Sequence, residues 1–218
     1  MRSPAESSAE RVEPLPAYPP GTVRALIESD LVTAPTRRAL GKRLRQRAAV
    51  TPRFFDPHAF AVMRAACDRL IPQPGRARPI DLVGELDARL ADGAGDGWRY
   101  ARMPSDAAMH AAGAAGLDQS ALAMFAGVFC SLPGAERDAV LRAVQSAEAA
   151  GEVWAQMDAA CYFEELLALV VDIYYAHPLA LEEIGYVGMA DAHGWQAVGL
   201  DEREAHEPIF STVRRGAA

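Results

Sequence analysis

The feature that most constrains this chain is the run from Cys161 to Pro208, CYFEELLALVVDIYYAHPLALEEIGYVGMADAHGWQAVGLDEREAHEP. It opens as a strongly apolar helix and is stopped at His177-Pro178, because proline lacks the N–H and disfavours helix in the residue before it. It then continues as a Gly- and aromatic-rich segment with neither a helical nor a strand period. An irregular stretch carrying Tyr186, His193 and Trp195 is costly unless those rings pack against something. This end of the chain is therefore the expected place to meet a partner.

The rest reads as helix. Ala is abundant, β-branched residues are few, and half of the 218 residues are apolar, which favours helices and excludes wholesale disorder. Residues 1–21 are rich in Ser, Glu and Pro and read as an extended arm. Val23, Leu26, Ile27 and Leu31 are apolar at helical spacing, and Pro35 starts a basic helix anchored by Leu40 and Leu44. Asp56-Pro57 is an N-cap followed by proline at the first helical position. The stripe Phe60, Met63, Cys67, Leu70 follows and Pro72 ends it. Ile80, Val83, Leu86 and Leu90 form a second helix closed by Gly93.

Ser105 is expected to cap an Ala-rich helix. Leu117, Leu122, Phe125 and Phe129 form the next apolar face, and Ser131 is expected to cap a helix with Val140, Leu141 and Val144. The longest helix is expected over Glu152–Ala176, apolar over more than one face, as suits the centre of a bundle or a docking surface. No useful strand pattern or solenoid-period repeat appears. The fold class is all-α: a compact helical bundle with an extended N-terminal arm and an irregular C-terminal segment. The boundaries are 1–53 for the arm with its basic helix, 54–208 for the helical domain and 209–218 for a tail.

Charge is segregated. Thr36–Arg53 holds seven basic residues and no acid, whereas Ala143–Glu202 holds no Lys or Arg, and the net charge is −7. An acidic chain is a poor nucleic-acid ligand as a whole, and the basic helix, with Arg37, Arg38 and Arg43, is suited to an acidic surface. No apolar run is long enough to insert in a membrane, and no secretory signal is read at the N-terminus. The expected location is cytoplasmic, with periplasmic delivery by co-export with a partner as the alternative.

Chemistry-bearing motifs are few. Cys67, Cys130 and Cys161 have no paired metal-ligand spacing and read as buried thiols. There is no GxGxxG after a strand, no P-loop and no GxSxG. His58, His110, His177, His193 and His206 form no metal-ligand spacing on a helix. Glu164-Glu165 and Glu182-Glu183 are adjacent, so each pair splays about 100° apart on a helix; such acids suit arginine partners. Asp68 is expected to accept hydrogen bonds from a neighbouring loop. No catalytic, cofactor-binding or metal residue is assigned. Tyr174, Tyr175, Tyr186, His193 and Trp195, with Arg37, Arg38 and Arg43, are the candidate partner-interface residues. Two other readings stay open: a free-standing helical enzyme using His177 or His193, and an adaptor acting through its basic arm.

Four segments carry a resemblance. AACDRLIP (Ala65–Pro72), SLPGAERDAVL (Ser131–Leu141), YFEELLALVVDIYYAHP (Tyr162–Pro178) and IGYVG with HGWQAVGL (Ile184–Leu200) resemble, in order, elements of the gluconate 2-dehydrogenase subunit 3 family. The resemblance implies a small, non-catalytic subunit of an FAD-dependent sugar or polyol dehydrogenase, in a hetero-oligomer. The partner would be a large glucose–methanol–choline-type flavoprotein that carries the FAD; no cofactor is expected in this chain. Its implied role is to stabilise that partner or to assist its folding or export. The chain departs from the family pattern at Val171 and Ile173, and at Leu179-Ala180-Leu181-Glu182.

Overall fold

The computed structural model describes residues 21–77, 79–95, 100–188 and 194–209. Among them every regular element is helical. The chain divides into two compact units, residues 46–177 and residues 1–45 with 178–218. These boundaries differ from the expected division at 53/54, and residues 178–188 group with the N-terminal helices.

The larger unit holds α3 (Pro57–Leu70), α4 (Leu82–Asp92), α5 (Asp106–Phe125), a 3-10 turn (Phe129–Ser131), α6 (Gly134–Gln145), α7 (Glu152–Gln156) and α8 (Ala159–Tyr175). The Asp56 carboxylate accepts from the His58 and Ala59 amides at 2.8 Å and starts α3; Gly93, in the left-handed region, ends α4. Helix α8 packs on α4, α5 and α6, while α5 packs on α3, α6 and α7. Met63, Leu86, Leu117, Val140, Val144, Tyr162, Leu166 and Val170 fill the core.

Two close approaches define this core. A Cβ at Gly113 would overlap the Tyr162 ring, and one at Gly116 would overlap the Trp154 indole. The glycines of α5 are thus notches into which α7 and α8 insert rings. The Trp154 indole N–H donates to Ser120 Oγ at 2.8 Å, and the single Ser120 hydroxyl proton is shared between the carbonyl oxygens of Gly116 and Ala150, both within 2.9 Å. The buried Tyr162 hydroxyl donates to Met63 Sδ at 3.7 Å, and burial pushes its pKa up. Asp87 on α4 is buried and accepts from the amides of Arg53, Phe54 and Phe55, at 2.6, 3.0 and 2.9 Å. Asp81 accepts from the Ala49 amide at 2.6 Å. Two acids of the α4 region thereby hold the segment that enters α3.

Four expectations for this unit are corrected. The helix expected over Glu152–Ala176 is broken at Met157, which is extended, and restarts when the Asp158 carboxylate accepts from the Cys161 amide at 3.0 Å. A capping side chain outcompetes continuation of the ladder there, so α5 is longer than α8. Ser131 lies in the 3-10 turn and Pro133 occupies the cap position of α6. Leu122 and Phe125 do not join Leu117 and Phe129 in the core: Leu122 is 62% exposed and Phe125 36%. The expected loop bonds to Asp68 also do not form among the described residues; partial burial raises its pKa, while the next residue, Arg69, grips Asp138 through two 2.6 Å bonds.

In the smaller unit, α1 (Thr22–Glu28), α2 (Ala34–Arg45) and α9 (Pro178–Glu183) pack together. Val23, Ile27 and Leu40 form one cluster with Leu44 and Leu181 against it, and Leu26, Val32 and Val187 form another. The helical spacing read at Val23–Leu31 and the basic helix expected from Pro35 thus correspond to α1 and α2. Glu182, buried, accepts from the Gly21 amide at 2.7 Å and from the Arg24 guanidinium at 2.9 Å. Burial pushes its carboxyl pKa up, but the Arg24 and amide bonds outweigh burial and hold it below the ordinary range.

Replacing Gly113 with Ala gains roughly 1 kcal/mol of helix propensity but forces the Tyr162 ring to move. Overpacking of this kind costs about 1–3 kcal/mol, occasionally more. Gly113→Ala is therefore expected to destabilise the protein in urea unfolding, whereas Gly→Ala at an open helical site would stabilise it.

Candidate partner surface and cleft

The rings proposed from sequence fall into different environments. Tyr174 is 6% exposed, meets Tyr175 edge-on at 5.1 Å, and its hydroxyl accepts from Arg76 at 3.3 Å. It is a core ring of the larger unit and not a surface anchor, because its position on α8 falls on the stripe of Leu166, Val170 and Ile173. Tyr175, one residue on, is turned outward and exposed. His177 is half-buried at the end of the same unit.

In the smaller unit Tyr186 and Trp195 are exposed, with Ile184. The Tyr186 hydroxyl donates to the Gly188 carbonyl at 3.3 Å, and Trp195 stacks on His206 with centroids 5.9 Å apart. His193 lies outside the described residues. The irregular segment from 194 is folded on its own acids. Glu204 accepts from the amides of Gln196 and Ala197 at 2.5 and 2.7 Å, Glu202 from that of Gly199, and Glu207 from that of Glu204. The amide bonds hold the Glu204 pKa down.

Of the arginines, Arg37 is spent inside the protein: its guanidinium donates to carbonyl oxygens of Ile27, Ser29 and Val32, at 2.8, 2.5 and 3.0 Å. It caps the open C-terminal end of α1, where unpaired carbonyls and the negative end of the helix dipole favour a cation. Arg38 is exposed and Arg43 half-buried.

Sequence reasoning assigned to the core a surface that the structure leaves open. At the C-terminal end of α5, Leu122, Met124, Phe125 and Val128 are all exposed. They flank Ala126, whose left-handed backbone (φ 55°) turns the chain out of the helix. A helical period cannot report this, since it says which residues share a face but not whether another helix reaches that far along it.

The other feature is a cleft of about 510 Å³ between α4, α5 and α8. His110 lines it and is almost fully buried, with Nδ1 lacking any hydrogen-bond partner. Burial drives the His110 pKa down to about 4, against the opposing pull of Asp106. Asp106, Glu165 and Asp172 also line the cleft, with Arg89 as a basic group. The Arg89 guanidinium donates to Asp172 at 2.6 Å and to Glu85 at 3.4 Å. No group of three or more potential metal ligands converges among the described residues. The cysteines are free; burial pushes the Cys67 thiol to about 12, which makes it a poor nucleophile. No described helix is long and apolar enough to cross a membrane.

The family model described as gluconate 2-dehydrogenase subunit 3 matches residues 57–201, well over half of the chain and all of the helices from α3 onward. No curated protein and no solved structure gives a significant match.

His110 has a lower pKa folded than unfolded, so its contribution is complete above pH 6.5 and is lost as pH falls toward 4. Over that window the unfolded chain binds a proton that the folded chain refuses. A shift of this size corresponds to roughly 3 kcal/mol. Urea unfolding should show wild-type stability dropping relative to His110→Asn between these pH values, and the NMR titration of the ring should have its midpoint near 4; a midpoint near 6.5 would contradict the burial argument.

Proposed function

The chain belongs to the gluconate 2-dehydrogenase subunit 3 family, and from that premise we propose that it is the small, non-catalytic subunit of a dehydrogenase complex. The family name places its members in a multi-subunit dehydrogenase. By the sequence resemblance, the partner is a large FAD-dependent flavoprotein of the glucose–methanol–choline type acting on a sugar, polyol or glycoside. The flavin and the chemistry belong to that subunit, and this chain stabilises it.

The family match over residues 57–201 is the observation that carries this reading. The surface supports it. Leu122, Met124, Phe125 and Val128 form an exposed apolar corner on the larger unit, of the kind that monomers cover and interfaces use. Obligate interfaces bury about 2,000 Å² or more and are centred on apolar and aromatic anchors. Phe125 and Leu122 are the anchors assigned here on the larger unit. Tyr186 and Trp195 are those assigned on the smaller.

The test is affinity purification of the tagged chain from its native cell, and then its co-expression with the large flavoprotein recovered. The expected result is co-elution of both chains with a flavin absorption spectrum, and an insoluble or flavin-poor large subunit when this chain is omitted. Leu122→Asp with Phe125→Asp should abolish co-elution while leaving the helical circular dichroism of this chain intact, since neither side chain is in the core. A large subunit that is soluble and fully active without this chain would overturn the proposal.

A further inference from the structure

We propose, on the subunit reading above, that the exposed cationic face of α2 docks on a carboxylate-bearing helix of the large subunit. Within the smaller unit Leu40 of α2 is buried with Val23 and Ile27, and Leu44 packs against that cluster. At about 100° per residue, Arg38, Lys42 and Arg45 fall within about 60° of one another on the opposite side of the helix. All three are exposed. They set a row of cations along about 10 Å, or two helical turns.

The charges of this face are unspent, unlike those of its neighbours. Arg37 caps α1 and Arg24 pairs with Glu182. Arg38, Lys42 and Arg45 form no hydrogen bond or ion pair with any described residue. The helix dipole favours Lys42 and Arg45, which lie in the last turn, but gives Arg38 nothing. Like charges one turn apart on a helix repel, and carboxylates of a partner relieve that repulsion.

The occupant follows from the range over which each kind of partner reads charge. A lipid surface or a nucleic-acid duplex is an extended array of phosphates, and it meets the summed field of a domain over a Debye length of about 8 Å at physiological salt. The described residues of the smaller unit hold eight acids against seven bases, so that summed field attracts neither. The apolar side of α2 is already covered and cannot enter a bilayer. A protein face, in contrast, presents discrete carboxylates to the stripe alone. Two of the three cations are guanidiniums, which grip carboxylates bidentately. Asp or Glu residues three and four apart on a helix share one face, the spacing of the stripe itself. Helix α2 precedes the family-matched residues 57–201, so this contact comes in addition to any that those residues make. A row of this kind acts mainly on the rate of encounter.

Lys42 is the only lysine in the sequence, which makes the face directly addressable. The test treats the purified complex of the full chain and the large flavoprotein with a water-soluble carbodiimide, which joins a lysine amine to a carboxylate in contact with it, and maps the products by mass spectrometry. Lys42 is expected to be joined to Asp or Glu residues of the large subunit that lie three or four apart in its sequence. In parallel, the combined Arg38→Glu, Lys42→Glu and Arg45→Glu substitutions are expected to slow association about tenfold at low salt, with dissociation and circular dichroism unchanged. The difference should shrink at about 0.15 M salt. The same three positions changed to Gln serve as a second variant if the reversed protein does not fold. If no flavoprotein associates with the wild-type chain, the subunit reading falls and this one with it. A complex in which Lys42 stays unlinked to the partner, or whose association is indifferent to the reversal, overturns this proposal alone. So does tighter binding of the full chain to vesicles of equimolar phosphatidylserine and phosphatidylcholine, or to a DNA duplex, than to the flavoprotein.

Discussion

The larger unit depends on one steric fit: the ring of Tyr162 seated against the bare backbone of Gly113, with the Trp154 indole seated against Gly116 a turn later. Glycine within a helix costs about 1 kcal/mol relative to alanine. Here that cost is offset because the missing methyl groups let α7 and α8 approach α5 closely enough to bury the Tyr162 ring and half-bury the Trp154 indole. Ser120 completes the arrangement by relaying the indole N–H to carbonyl oxygens. Everything on the cleft side follows from it. The α5–α8 approach fixes where His110 and Asp106 stand relative to Glu165 and Asp172, and α4 is tied to α8 through Arg89 and Asp172.

The polar groups that hold the chain together use carboxylates as acceptors for backbone amides more than as partners in surface ion pairs. Asp56, Asp81, Asp87, Asp158 and Glu182 each accept at least one main-chain N–H. Such bonds to a charged acceptor are worth about 1.5–3 kcal/mol each, against a median near 0–1 kcal/mol for exposed ion pairs. These acids of the chain therefore have a structural role. The aromatic C-terminal segment illustrates it: the turns after Gly194 are built on Glu202, Glu204 and Glu207.

Much of this was legible in the sequence. The helical class followed from period and composition, and Asp56-Pro57 and Gly93 marked real helix ends. Glu182 does meet an arginine, the partner that suits such adjacent acids, although the short helix α9 that carries it lies in a stretch read as irregular. Other features were hidden because they depend on what arrives from elsewhere in the chain. A stripe of Leu117, Leu122 and Phe125 looks uniformly apolar, yet only Leu117 is covered. Arg37 reads as part of a basic patch, yet its bonds go to carbonyls of the preceding helix. The break at Met157 was masked by a continuous apolar pattern, although Asp158 followed by Cys161 at N3 was a cap signal that could have revealed it. His110 gave no sign at all, since neither spacing nor neighbours distinguish a buried, unpartnered imidazole from a surface one.

Under the proposed function, the apolar corner of α5 is covered by a larger protein. Hydrogen–deuterium exchange of this chain, alone and within its purified complex, measures that directly. Exchange in the peptide spanning Leu122–Val128 should slow on complex formation, with the amides around Tyr162 slow in both states. Unchanged exchange over Leu122–Val128 in a verified complex would contradict it.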